Sequence, residues 1–149
     1  MRKIIFLLAI VLVILILAVP HFQRQPKQIT QSLNLGNKVT LQVEVADTEA
    51  EHIQGYSNHP PIGYREGLLF VFEKEGVYPF WMKEMLFDLD FIFINKEQVV
   101  YLLENIKAPV NNQGQIEYAN SEAPFNQLLE VRAGFIAKYN IKVGEQISF

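Results

Sequence analysis

Leu68-Leu69-Phe70-Val71-Phe72 and Leu89-Asp90-Phe91-Ile92-Phe93-Ile94 decide the fold. Both have strand length and are rich in branched and aromatic side chains. Neither alternates cleanly between apolar and polar positions. A strand that is apolar throughout needs cover on both of its faces. A plain two-layer sandwich, with one face of each sheet in water, would show cleaner alternation. A small barrel with helices packed on its outside supplies both covers. The expected fold class is therefore mainly β with short helices, arranged as a small, partly open β-barrel.

The flanking sequence supplies the other elements. Val39, Leu41, Val43 and Val45 alternate with Thr40, Gln42, Glu44 and Ala46, the pattern of a half-buried strand. Thr48 stands three residues before Glu51, a capping-box spacing, which predicts a short helix to about Tyr56. Gly55, Ser57, Asn58 and Pro60-Pro61 close it. His59 to Gly67 reads as a loop and Lys74-Glu75-Gly76 as a turn. Tyr78 to Met82 reads as a strand with Pro79 at its edge or start. Asn95-Lys96-Glu97 turns the chain into a hairpin strand, Gln98 to Ile106. A long loop, Lys107 to Phe125, precedes a strand at Leu128 to Val131, a helix at Ala133 to Tyr139 and a closing strand at Gln146 to Phe149.

Composition removes several function classes. Half of the 149 residues (50%) are apolar, which excludes a disordered chain. The 13 Lys+Arg against 16 Asp+Glu exclude a basic nucleic-acid binder, so no nucleic acid is expected as a partner. Without cysteine there is no disulfide, thiolate zinc site or thiol nucleophile. His52 and His59 have no recognised ligand spacing, so no metal is expected. Ser57, Ser121 and Ser148 lack the glycine-flanked elbow of a hydrolase nucleophile. No phosphate-cradling loop appears, and no cofactor is expected.

Arg2 and Lys3 precede an unbroken apolar run from Ile4 to Val19, ended by Pro20. As a helix the run spans roughly 24 Å, short of the ~30 Å hydrocarbon core. Phe22 and the snorkelling stems of Lys3 and Arg24 cover the shortfall. A cleaved secretory signal needs small residues one and three positions before the cut. Ala18 fits the nearer position, but Ile16 then occupies the farther one. An uncleaved signal anchor, a transmembrane helix over residues 1–22, is the favoured reading, with cleavage the alternative. Residues 23–36, Gln-rich with Pro26, Thr30, Ser32 and Asn34, read as a flexible tether, and 37–149 as the β-barrel domain. The domain is expected outside the cytoplasm. All 16 acidic residues but only nine of the 13 basic ones follow Lys27, a net of −7. The expected partner is therefore the membrane through the N-terminal helix, not through the domain's own surface.

Several blocks carry a family likeness: Gly67-Leu68-Leu69-Phe70-Val71-Phe72, Phe80-Trp81-Met82-Lys83, Leu89-Asp90, Leu129-Glu130-Val131-Arg132-Ala133-Gly134 and Val143-Gly144-Glu145. In this order, from about Leu41 to Ile147, the chain resembles the family catalogued as domain of unknown function 192. The resemblance implies a compact, partly open β-barrel, often behind a signal sequence or anchor, with no established activity. The chain departs from the family pattern at Gln54-Gly55-Tyr56-Ser57, at Glu84-Met85 and at Asp88.

One constellation offers chemistry. Phe80 and Met82 share one face of a strand, and Trp81 and Lys83 the other. The few residues from Lys83 to Asp88 allow the chain to return as a hairpin. Asp90, at the start of a buried strand, must be protonated, bonded to backbone donors or paired, and Lys83 is the nearest candidate cation. Trp81, Lys83, Asp88 and Asp90 then form the rim of a pocket at a barrel mouth, a candidate ligand-binding site. The alternative is that Asp90 locks a turn and Trp81 fills the core. Glu130 interrupts an apolar strand and either joins this pocket or faces outward.

These readings lead to a membrane-tethered, extracytoplasmic β-barrel module that binds a small ligand, peptide or envelope component. Two alternatives remain. One is an acid/base hydrolase acting on an envelope glycan with Asp88 or Asp90 and a second carboxyl, Glu104 or Glu130. The other is a structural subunit of a membrane complex.

Overall fold

A computed structural model describes residues 30–109 and 118–149. Its main body is one seven-stranded sheet. In chain order the strands are β1 (Thr30–Leu35), β2 (Val39–Ala46), β3 (Glu66–Gly76), β4 (Phe80–Trp81), β5 (Leu89–Asn95), β6 (Gln98–Ile106), β7 (Tyr118–Ala119), β8 (Phe125–Arg132) and β9 (Ile147–Ser148). The sheet runs β6-β5-β8-β3-β2-β1-β9, and β4 and β7 form a separate two-stranded ribbon. Two short helices complete the fold, α1 (Glu49–Gln54) and α2 (Phe135–Tyr139).

The sheet curls into a half-barrel, and its two edges meet at one end. Gln98, at the start of β6, bridges Gln146 just before β9. Val99 N–H donates to Glu145 O at 2.8 Å, and Ile147 N–H to Glu97 O at 2.8 Å. Lys38 pairs with Glu145 at the same end. Joining the edges there removes part of the unpaired edge that an open sheet presents.

Both faces of the central strands are buried. Leu69, Ile92, Ile94, Leu129 and Val131 point into one apolar cluster with Phe135 and Ile136 of α2. Leu68, Phe70, Phe91, Phe93 and Leu128 point into the other, with Tyr56, Met82 and Met85. This is the double cover that the uniformly apolar runs demand. The second cluster is covered by α1 with the turn after it and by the segment through β4. Thr48 caps α1 through the expected box: its hydroxyl accepts from Glu51 N–H, and the Glu51 carboxylate accepts from Thr48 N–H at 3.0 Å. The Thr48 hydroxyl and backbone hold the Glu51 carboxyl below the usual range.

Four differences from the sequence reading have physical causes. Thr30–Leu35, expected as the end of a tether, is strand β1, paired with β2 from Thr30↔Glu44 to Leu35↔Val39. Its inward positions are filled by Leu33 and Leu35, both fully buried. Second, β3 continues through Lys74-Glu75-Gly76, where a turn was expected. Third, β4 does not form a hairpin with β5; it pairs with β7, from Phe80↔Ala119 to Trp81↔Tyr118. Fourth, α2 starts at Phe135, behind a left-handed Gly134 with φ 83°.

Among the described residues, no helix is long and apolar enough to cross a membrane. The run Ile4–Val19, on which the anchor expectation rests, lies outside the described residues, as does the tether from 23 to 29.

Candidate functional site

The outer cover does not fill all the space above the sheet. A cavity of about 440 Å³ lies between α1, the segment from Tyr78 to Met85 and the sheet. Phe70 and Phe72 of β3 and Glu130 of β8 make its floor. Glu49, His52 and Ile53 of α1, with Gln54 to Ser57, make its roof. Tyr78, Pro79, Phe80, Trp81 and Met85 make its side.

Strand alternation explains why these side chains converge. Phe70 and Phe72 are two apart on β3 and share its outer face. Glu130 lies opposite Leu68 on one neighbour and Phe91 on the other, both in the outer cluster. The aromatic rings pack on one another. Phe72 stacks on Tyr78 at 4.2 Å between centroids, and Phe80 meets Phe70 edge to face at 5.6 Å. Tyr78 is fixed by its hydroxyl, which donates to Lys74 O at 2.8 Å. His52 lies 4.7 Å from the Phe72 ring, and its Nε2 is 3.0 Å from Ala46 O, a contact in which the nitrogen must donate.

Two bonds tie roof and side together. The Ser57 hydroxyl donates to Lys83 O at 3.0 Å, and Asn58 N–H to Glu84 O at 2.8 Å. Tyr56 is buried behind this seam against Phe87. Burial first, then the charges of Glu130, Glu44 and Glu66, push its phenol well above the ordinary value.

Glu130 is the group without a structural role. It is 5% exposed, and among the described residues its carboxyl has no hydrogen-bond or ion-pair partner. Burial alone pushes its pKa up to about 8. At neutral pH it is therefore mostly a carboxylic acid, able to donate an O–H, and it becomes a carboxylate when a cation approaches.

The five residues singled out in the sequence separate. Trp81 and Glu130 both line the cavity, Trp81 at its exposed side and Glu130 at its floor. Lys83, Asp88 and Asp90 do not line it. The expected Lys83–Asp90 pairing is corrected. Asp90 is fully buried on the inner face, where its Oδ1 accepts from Asn105 N–H at 2.8 Å and its Oδ2 from Ile136 N–H at 2.9 Å. Lys83 is exposed, with its ammonium 3.9 Å from Glu84. Asp88 is held elsewhere: its carboxyl accepts from Lys107 Nζ at 2.7 Å and Ala108 N–H at 2.9 Å. Burial raises the Asp88 pKa, but those two bonds and the Lys107 charge outweigh it and leave the carboxyl below its ordinary value.

The sequence reading did not place His52, Tyr56, Phe70, Phe72, Tyr78 or Phe80 in a site. A signal was present in the pairs Phe70/Phe72 and Tyr78/Phe80, each two residues apart and so able to present two rings on one face. Among the described residues no group of His, Asp and Glu is arranged to hold a metal ion.

Residues 31–149 match the model of the family DUF192, described as "Uncharacterized ACR". No curated protein sequence matches the chain significantly. Two solved structures are similar. One, from Sinorhizobium meliloti, is provisionally described as a transcription regulator. It has a TM-score of 0.73 and 23% identity over 83% of this chain and 96% of its own. The other, from Novosphingobium aromaticivorans, is a protein of unknown function with a TM-score of 0.75 and 21% identity over 89% of this chain and 94% of its own. At these identities the likeness shows the fold.

Proposed function

The chain belongs to the uncharacterised DUF192 family, and we propose that its domain is a binding module for a small, mostly apolar ligand carrying one polar group. The observation that carries this reading is the Glu130 carboxyl, without a partner among the described residues, on the floor of an aromatic cavity. Ligand sites are typically concave and mostly apolar, with a few polar groups that fix orientation. A buried carboxyl with no partner costs stability, and a ligand that bonds to it recovers that cost.

The apolar run Ile4–Val19 supports a domain tethered to a membrane and displayed outside the cytoplasm as a partly open barrel. A reporter that fluoresces only in the cytoplasm, fused after Phe149, stays dark on this reading. Fluorescence overturns the location.

The binding reading is tested on the full chain in detergent by thermal shift, with small aromatic and alkyl compounds in cationic, neutral and anionic forms. At least one charge class should raise Tm for the wild type and not for Ser57→Trp, which fills the cavity from its roof. A flat response across all three classes overturns the module reading. A hydrolase reading has one observation in its favour, since a carboxyl with a raised pKa is suited to general-acid work and Glu49 also lines the cavity. Turnover of chromogenic glycosides that is lost in Glu130→Gln would select it.

A further inference from the structure

We propose that the ligand of this cavity is an organic cation, a small amine or methylated ammonium whose charged head pairs with Glu130 while its apolar body lies against the surrounding rings. The inference deepens the binding-module reading and rests on it.

Among the described residues the lining contains two carboxyls, Glu49 and Glu130, and no lysine or arginine. An anion entering it finds no compensating cation among the described residues of the lining. A neutral apolar molecule would cover Glu130 and leave it with no partner. A cation supplies the opposite charge that Glu130 lacks. It also gains from the rings, because the face of an aromatic ring carries partial negative charge. Phe72, Tyr78, Phe80 and Trp81 place several such rings around one space. An ammonium next to a carboxylate and several rings is the arrangement that aromatic cages use for such heads. The 440 Å³ volume suits a head group with a short body.

Among the described residues, the titratable groups around Glu130 supply no competing cation. Glu49 and His52 approach from α1, Tyr56 from the turn after it, and Tyr78 from the side. Glu44 of β2 and Glu66 of β3 act on Tyr56. The cross-strand neighbours of Glu130, Leu68 and Phe91, are apolar. His52 is the one group here able to become cationic, and its Nε2 contact is with Ala46 O. Binding a cation at neutral pH therefore ionises Glu130, and the carboxyl proton leaves to solvent.

The test uses the full chain in detergent and three related benzyl probes: benzyltrimethylammonium, (2,2-dimethylpropyl)benzene as its neutral counterpart of the same shape, and phenylacetate as the anion. Calorimetry at pH 7 should show the ammonium binding at least tenfold more tightly than the other two. Its binding at pH 7 should release close to one proton, seen as a dependence of the apparent heat on buffer ionisation enthalpy. Affinity for it should rise between pH 6 and pH 8 by roughly tenfold per unit while Glu130 is still protonated. Glu130→Gln should remove both the preference and the proton release. Should that variant fail to fold, the order of affinity of the three probes for the wild type still decides. Tighter binding of the neutral or anionic probe, or a cation preference that survives in Glu130→Gln, overturns the organic-cation assignment and leaves a binding module. Binding of none of the three overturns both.

Discussion

Asp90 and Glu130 lie on adjacent strands one register step apart, yet their side chains face opposite sides of the same sheet. Asp90 pairs in register with Val131, and Glu130 with Phe91. Asp90 faces α2 and is bonded to two backbone amides, whereas Glu130 faces the cavity with no partner among the described residues. Two buried acids on one pair of strands thus have separate duties, one structural and one available to a ligand.

Removing Asp90 should unfold more than it alters. Its oxygens satisfy the amide of Ile136 in the first turn of α2 and that of Asn105, which sits in a bulge of β6 with φ 57°. Asp90→Ala leaves both buried donors open and should cost roughly 2–4 kcal/mol. Thermal denaturation should show Tm lowered by about 10 °C. A loss near zero would mean that water takes over both bonds.

Glu130 makes stability depend on pH. Its folded pKa of about 8 lies above the ordinary 4.5, so the folded chain holds the proton more tightly than the unfolded chain. The unligated protein is then most stable below the unfolded value, loses stability as pH rises toward about 8, and levels off above it. The loss should be on the order of a few kcal/mol. Glu130→Gln should flatten this slope and raise Tm at pH 8 relative to the wild type. Parallel curves for the two proteins from pH 5 to pH 8 would refute the assignment.

Gly67 is set by a close approach. A Cβ there would stand 3.0 Å from Glu130 O and 3.0 Å from Leu129 Cδ1, and the first of these is backbone that cannot swing away. Gly67→Ala should push β8 from β3 and cost roughly 1–3 kcal/mol. Since the displaced residue carries the cavity carboxyl, ligand-induced Tm shifts should shrink as well.

The hairpin between β5 and β6 turns through Lys96 and Glu97, with φ 49° and 63°. Such two-residue turns favour Asn-Gly, because both positions are left-handed. Lys96→Asn combined with Glu97→Gly should stabilise the chain by about 1 kcal/mol and raise Tm by several degrees. An unchanged or lowered Tm would show that the Lys96 or Glu97 side chain holds the turn.

The doubly covered sheet was legible because Leu68–Phe72 and Leu89–Ile94 have no wet face to hide. The same property concealed the site. Where both faces of β8 are buried, alternation no longer tells which side Glu130 takes, and the sequence favours an outward-facing glutamate over one in the pocket. Proximity in sequence also misled: Lys83 and Asp90 are seven residues apart, but β4 finds its partner in Tyr118–Ala119 and not in β5. β1 escaped notice because only Leu33 and Leu35 mark its buried face, and its remaining positions are polar. The Thr48–Glu51 box was readable because its bonds are local, set by three residues of spacing and no distant contact.

β1 and β9, the first and last described strands, are neighbours, joined from Asn34↔Ser148 to Leu35↔Ile147. The two ends of the domain therefore leave from one flank of the sheet. A short linker from Phe149 back to Thr30 would turn the backbone into a ring, and new termini cut into the exposed Pro60-Pro61 loop between α1 and β3 would give a circular permutant with every strand pairing intact. In the natural order, whatever precedes Thr30 pulls on a strand that is clasped on both sides, so traction from that end reaches the last strand of the fold as directly as the second.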